Sequence, residues 1–159
     1  MASDTTAIVK AKQRSVRYVD ATGQIAGRLC SNIAKTLLNG DRVVVVNAEK
    51  TLVSGKRGSV MRSWLEYLKI ASVVHPKHGP FHSRTPDGII TRMVRGMVPR
   101  RKPKGETAMK RLRVYVGVPE EFAKIKFQAF DDTAATKPPA YYVSLSEIAG
   151  RIGWKGGTS

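Results

Sequence analysis

The residues with the most chemistry to offer lie between positions 75 and 105, HPKHGPFHSRTPDGIITRMVRGMVPRRKPKG. This stretch holds eight Lys/Arg (Lys77, Arg84, Arg92, Arg95, Arg100, Arg101, Lys102 and Lys104), one carboxylate (Asp87) and all three histidines of the chain (His75, His78 and His82). Guanidinium and ammonium groups at this density are suited to neutralising a polyanion. RNA is the commonest polyanion available to a soluble protein.

The histidines have ligand-like spacing, H-x2-H-x3-H, but Pro76, Gly79 and Pro80 interrupt them. The positive field around them also opposes assembling a dication on neutral imidazoles. RNA contact or turn packing is the expectation for His78 and His82, and no metal is expected. Phe81 fits either a platform for an unpaired base or a satellite core residue. Trp64 and Tyr67, at helical spacing, read as core in preference to a ligand platform.

Other sharp motifs fail on inspection. Gly55-Lys56 invites a phosphate-loop reading, but G-x-x-x-x-G-K-[ST] needs Gly and Ser/Thr where the chain has Lys50 and Arg57. Lys56 and Arg57 are better read as a basic turn touching a phosphate backbone. Gly23 and Gly27 do not make a dinucleotide fingerprint. The adjacent acids Asp131-Asp132 and Glu120-Glu121 are poor acid/base pairs. No cofactor and no small-molecule substrate are expected.

The totals agree with a basic binding protein. A chain of 159 residues suits one domain, and 28 Lys/Arg against 12 Asp/Glu give a net charge of +16. Repulsion of that size is tolerated when a negative partner cancels it. The single cysteine, Cys30, rules out an intrachain disulfide and suggests a reducing cytoplasm. Neither a membrane-spanning run nor a secretory leader is legible.

These side chains need a frame, and the periodicity supplies one. Residues 1–16 are basic and aperiodic, so a flexible arm is expected there. A strand over 17–21 and a turn lead into a helix carrying Ile25, Leu29, Ile33 and Leu37 on one stripe, stopped by Asn39-Gly40. Arg42 to Asn47 is a β-branched run covered on both faces, and the three elements make a βαβ unit. A third strand is expected at 51–54, then a helix over 59–71 with Val60, Trp64, Leu65 and Leu68 inward.

Thr85-Pro86-Asp87 is a helix start, with Thr85 as the capping hydroxyl. Ile89, Ile90, Met93, Val94 and Met97 form the packed face of that helix, and Arg92 and Arg95 share another face. Pro99 ends it, and 100–105 is expected to stay outside any packed element. A short helix over 106–112, with Lys110 added to the basic set, precedes a fourth strand at 114–116. Beyond Pro119 the pattern weakens to an extended tail, closed by a capping box at Ser144–Glu147 and a short helix.

The segments VDATGQIAGRL (19–29), VVNAEK (45–50) and GPFHSRTPDGIITRMVRGMVPRRKPKGETAMKRLRVYVGVP (79–119) resemble the large-subunit ribosomal protein L-thirteen family in its archaeal and eukaryotic form. The family signature is met by Val94 to Pro99 and by Gly105 through Leu112, Val114, Tyr115 and Gly117. The resemblance covers residues 17–122. It implies a three-layer α/β/α domain with a four-stranded parallel sheet, flanked by the arm (1–16) and a C-terminal extension (123–159).

The resemblance further implies a non-catalytic constituent of the large ribosomal subunit in the cytoplasm. Its partners would be large-subunit ribosomal RNA and neighbouring ribosomal proteins, and it would support subunit assembly. By family pattern, RNA contact falls on Arg92, Arg95, Gly96 and the loop Arg100–Lys104, with close backbone approach at Gly96 and Gly105. The absence of a long C-terminal helical extension points towards the archaeal type. The rivals are an RNA-processing enzyme and an extra-ribosomal regulator that binds RNA.

Overall fold

Residues 15–156 are described by a computed structural model. The arm expected over 1–16 therefore lies outside the described residues except for Ser15 and Val16, and Val16 already belongs to the first strand.

Strand β1 (Val16–Asp20) leads through a turn to helix α1 (Ala26–Leu38), and β2 (Arg42–Val46) follows. The apolar stripe of α1 is buried at Leu29, Ile33 and Leu37, with Ala26, Cys30 and Ala34 beside it. Its end is the expected one: Asn39 caps the helix and Gly40 turns the chain at φ 106°, a conformation glycine adopts without steric cost. Val43 to Val46 are all buried because β2 is the central strand. It pairs in parallel with β1, Val16 to Arg42 through Asp20 to Val46, and with β4 (Leu112–Val114), Val43 to Leu112 through Val45 to Val114.

The parallel sheet thus has three strands in the order β1-β2-β4, not four. The expected third strand exists as β3 (Leu52–Ser54), but it pairs antiparallel with β5 (Tyr142–Ser144) in a separate two-stranded sheet. The reason is connection length. Only residues 47–51, a left-handed Asn47 and one short 3-10 turn, separate β2 from β3. Parallel neighbours need a crossover of a dozen or more residues. On the outer edge of β1 the sheet gains one further parallel pairing, where Gln128 accepts from the Asp20 N–H (3.1 Å) and donates to the Tyr18 carbonyl (2.9 Å).

Helix α2 (Arg57–Lys69) starts two residues earlier than expected and buries no residue fully. Val60, Trp64 and Leu68 lean on the core, whereas Leu65, expected inward, is 40% exposed. Helix α3 (Pro86–Met97) has Pro86 in its first turn and Asp87 at its positive end, but the Thr85 hydroxyl makes no capping bond. Ile89, Ile90 and Val94 are buried, Met93 half-buried, and Met97, expected on the packed face, is 44% exposed.

Helix α4 (Pro103–Met109) begins inside the basic run that was expected to remain unpacked. Both α3 and α4 pack on α1. The region expected as a tail also folds back. Helix α5 (Leu145–Arg151) opens with the Ser144 hydroxyl accepting from the Glu147 N–H at 3.3 Å, one half of the capping box read from sequence, while the Glu147 carboxylate pairs with Arg57. Val143, Leu145, Ile148 and Ile152 join the same core cluster as Leu29 and Val43. No helix among the described residues is long and apolar enough to cross a membrane.

Candidate nucleic-acid interface

The α3–α4 corner is built tightly from the backbone outward. Val98, buried, anchors the chain as α3 ends. The Arg100 N–H donates to the Val98 carbonyl at 2.7 Å, the Lys102 N–H to Pro99 at 3.0 Å, and the Gly105 and Glu106 N–H groups to Lys102 at 2.9 and 3.2 Å. Four N–H groups are thus paired within the corner, and the side chains of Arg100, Arg101, Lys102 and Lys104 are exposed.

Arg95, Gly96, Val98, Pro99, Arg100, Arg101 and Lys102 line one groove of about 440 Å³. Arg92 and Arg95, three residues apart on α3, are both exposed. Among the described residues none of Arg92, Arg95, Arg100, Arg101, Lys102 and Lys104 is ion-paired, because the three salt bridges lie elsewhere. Six unneutralised cations on one helix-turn-helix corner form a strip of positive potential.

The two glycines of this corner differ. Nothing lies within 4 Å of where a Cβ on Gly96 would sit, so the fold itself has no need of glycine there. Gly105 is buried, and its Cβ would fall 2.1 Å from the Pro99 carbonyl oxygen. Its small size serves internal packing, not the exposed backbone approach expected for it.

Other candidates stand apart or are engaged. Arg57 is ion-paired with Glu147 of α5 through its Nε. Lys110 pairs with Glu106 at 3.3 Å, one helical turn away. His82 lies with Nε2 2.7 Å from the Ile70 carbonyl, so that nitrogen carries the proton, and its ring stands edge-on to Tyr67 at 4.3 Å. It pins the loop to the end of α2. Lys56 at the start of α2, and Lys77 and His78 in a short 3-10 turn, are exposed, and the Arg84 side chain lies against Gly153 after α5.

The histidines do not converge, with His75 and His78 6.0 Å apart ring to ring and His82 committed elsewhere. Among the described residues no group of three or more His, Cys, Asp or Glu is placed to hold a metal ion. Cys30 is buried in α1, and burial pushes its thiol up to about 12, which leaves it unreactive at neutral pH.

A second feature lies where the sequence favours core packing over a ligand platform. Ser63, Trp64, Tyr67, Ser83, Ile89, Arg92 and Met93 line an open cleft of about 330 Å³ between α2 and α3. Trp64 and Tyr67 meet edge to face at 6.0 Å. The signal was present in the i, i+3 aromatic pair followed by a stretch, 67–86, with no carboxylate. Trp64 does lean on the core, whereas Tyr67, read the same way, is 39% exposed.

Comparison with known proteins shows the family. The family model described as Ribosomal protein L13 matches residues 14–121. The large ribosomal subunit protein uL13 of Aeropyrum pernix is 44% identical over 140 residues, covering 87% of this chain and 90% of that protein. Its counterpart in Archaeoglobus fulgidus is 39% identical over 158 residues, covering 98% and 99%. That of Saccharolobus solfataricus is 34% identical, covering 91% and 97%. On the extent of the family match and of these alignments, the chain belongs to the ribosomal protein L13 family.

Proposed function

We propose that this protein is a structural constituent of the large ribosomal subunit in the cytoplasm, and that it binds large-subunit ribosomal RNA through the α3–α4 corner and supports subunit assembly. The observation that carries this reading is the groove ringed by Arg95, Arg100, Arg101 and Lys102, cations without a carboxylate partner among the described residues. The relatives are named as large ribosomal subunit proteins, which directs the polyanion reading to ribosomal RNA.

The mechanism is positioning, with no catalytic step. Lys and Arg neutralise phosphates and release counterions, while the packing of α3 and α4 on α1 fixes where those charges stand. At Gly96 an alanine would be favoured by roughly 0.5–1 kcal/mol in a helix, and nothing in the protein excludes it. Close approach of the RNA backbone accounts for glycine there. Residues 17–122 carry this contact, Lys56, Lys77, His78 and Arg84 add to its edges, and neighbouring ribosomal proteins share the remaining surface. An extra-ribosomal regulator would use the same face, and no observation favours it.

The test is binding of the purified protein to large-subunit ribosomal RNA across a salt series. If all six cations meet phosphates, affinity should fall by roughly three decades between 50 and 200 mM salt. A flat salt response would overturn the reading.

A further inference from the structure

We propose that the α2–α3 cleft is a seat for one unpaired nucleobase of the bound RNA, walled by Trp64, Tyr67 and Met93 with Arg92 at its rim. This rests on the phosphate-binding reading of α3 and deepens it: the corner would hold a backbone, and the cleft would hold a base projecting from it.

Three observations carry the assignment. The cleft, about 330 Å³, is of a size that small planar ligands occupy, and its walls combine aromatic and thioether surface with the Ser63 and Ser83 hydroxyls. Tyr67 is 39% exposed, so part of its ring is free for contact although it meets Trp64 and His82 at steep angles. Arg92 lines the cleft and also lies on the same exposed face of α3 as Arg95, which lines the phosphate groove. The cleft and the cationic groove therefore lie about one helical turn apart along α3.

Charge decides the occupant. From Tyr67 to Pro86, across the loop that closes the cleft, there is no carboxylate, while Lys69, Lys77 and Arg84 are exposed. An apolar cleft in a positive field suits a ligand whose planar apolar group is tethered to an anion. A nucleotide in a strand answers that description, and unpaired bases stacked on aromatic side chains are the usual means of RNA recognition outside helices.

The chain has two tryptophans, so Trp154→Phe leaves Trp64 as the sole indole reporter. The full-length Trp154→Phe protein would be titrated at about 50 mM salt with short homo-oligomers of adenylate, uridylate and cytidylate, and with an abasic sugar-phosphate strand of equal length. At least one base-bearing oligomer should quench Trp64 and bind roughly 5- to 100-fold tighter than the abasic strand. Tyr67→Leu, on a half-exposed site that tolerates the change, should erase most of that difference without altering affinity for the abasic strand.

Binding of all strands with unchanged Trp64 emission would overturn the base seat and leave phosphate binding standing, as would equal quenching by the abasic strand. The cleft would then be free to receive an apolar side chain of a neighbouring protein. Failure of every strand to bind would overturn both readings together.

Discussion

A Cβ placed on Gly105 would lie 2.1 Å from the carbonyl oxygen of Pro99 and 2.5 Å from its carbon, so the first turn of α4 rests directly on the end of α3. Backbone meets backbone there, and neither side can swing away as a flexible side chain would. Gly105→Ala should therefore destabilise the protein by about 1–3 kcal/mol despite alanine's better helix propensity, and loosen the Arg100–Lys102 turn. Thermal unfolding together with RNA affinity would show both losses, and an unchanged melting temperature would contradict the packing.

Gly96 predicts the reverse. Gly96→Ala should stabilise the free protein by roughly 0.5–1 kcal/mol, because the site is open and helical. The same substitution should weaken binding to large-subunit ribosomal RNA, since the added methyl would occupy the space into which the backbone is proposed to come. A higher melting temperature together with a larger dissociation constant would be the expected signature.

Replacing Arg100, Arg101 and Lys102 together by Ala should leave the melting temperature nearly unchanged, since all three side chains are exposed and free of salt bridges among the described residues. The slope of log affinity against log salt should fall by about 2–3. An unaltered slope would remove this turn from the interface.

Asp20 gives the fold a pH dependence. Its carboxylate accepts from the Thr22 N–H (3.0 Å), the Thr22 hydroxyl (2.7 Å) and the Asn47 side-chain amide (3.0 Å), tying the ends of β1 and β2. Partial burial opposes its ionisation, but the bonds from Asn47 and Thr22 and the charge of Lys50 outweigh that and hold it below its ordinary 3.8. A depressed carboxyl contributes stability that is complete above its unfolded value and is lost as pH falls through the folded one. Stability of the wild type should thus drop more steeply below about pH 4 than that of Asp20→Asn, measured by denaturant unfolding. Parallel curves would contradict it.

Much of this was legible from sequence because the signals are local. The four valines of β2 lack any polar alternation, and that is how a central strand reads. The stripe of α1, the Pro86 helix start and the Ser144 capping box each lie within a dozen residues and were placed within one or two positions. What escaped depends on distant or tertiary contacts. The pairing of β3 with β5 joins segments far apart in the chain through three residues each, too short to show a period.

Leu65 was assigned inward because α2 was given a full buried stripe, whereas that helix covers only the margin of the core. The basic loop was legible as a charge but not as a shape. Its rigidity comes from Gly105 fitting beneath Pro99, and a glycine among lysines and arginines reads as a flexible turn. The partners of Arg57, Lys110 and His82, which are Glu147, Glu106 and the Ile70 carbonyl, are not legible as such in the sequence because tertiary and helical geometry fixes them.

The central claim, that this chain is built into the large ribosomal subunit, is tested most directly by sedimenting a cell lysate through a sucrose gradient and following the protein by immunoblot. Co-migration with large subunits, retained through a high-salt wash, is the predicted result. Protein found chiefly at the top of the gradient would contradict the account and turn the α3–α4 corner over to another RNA.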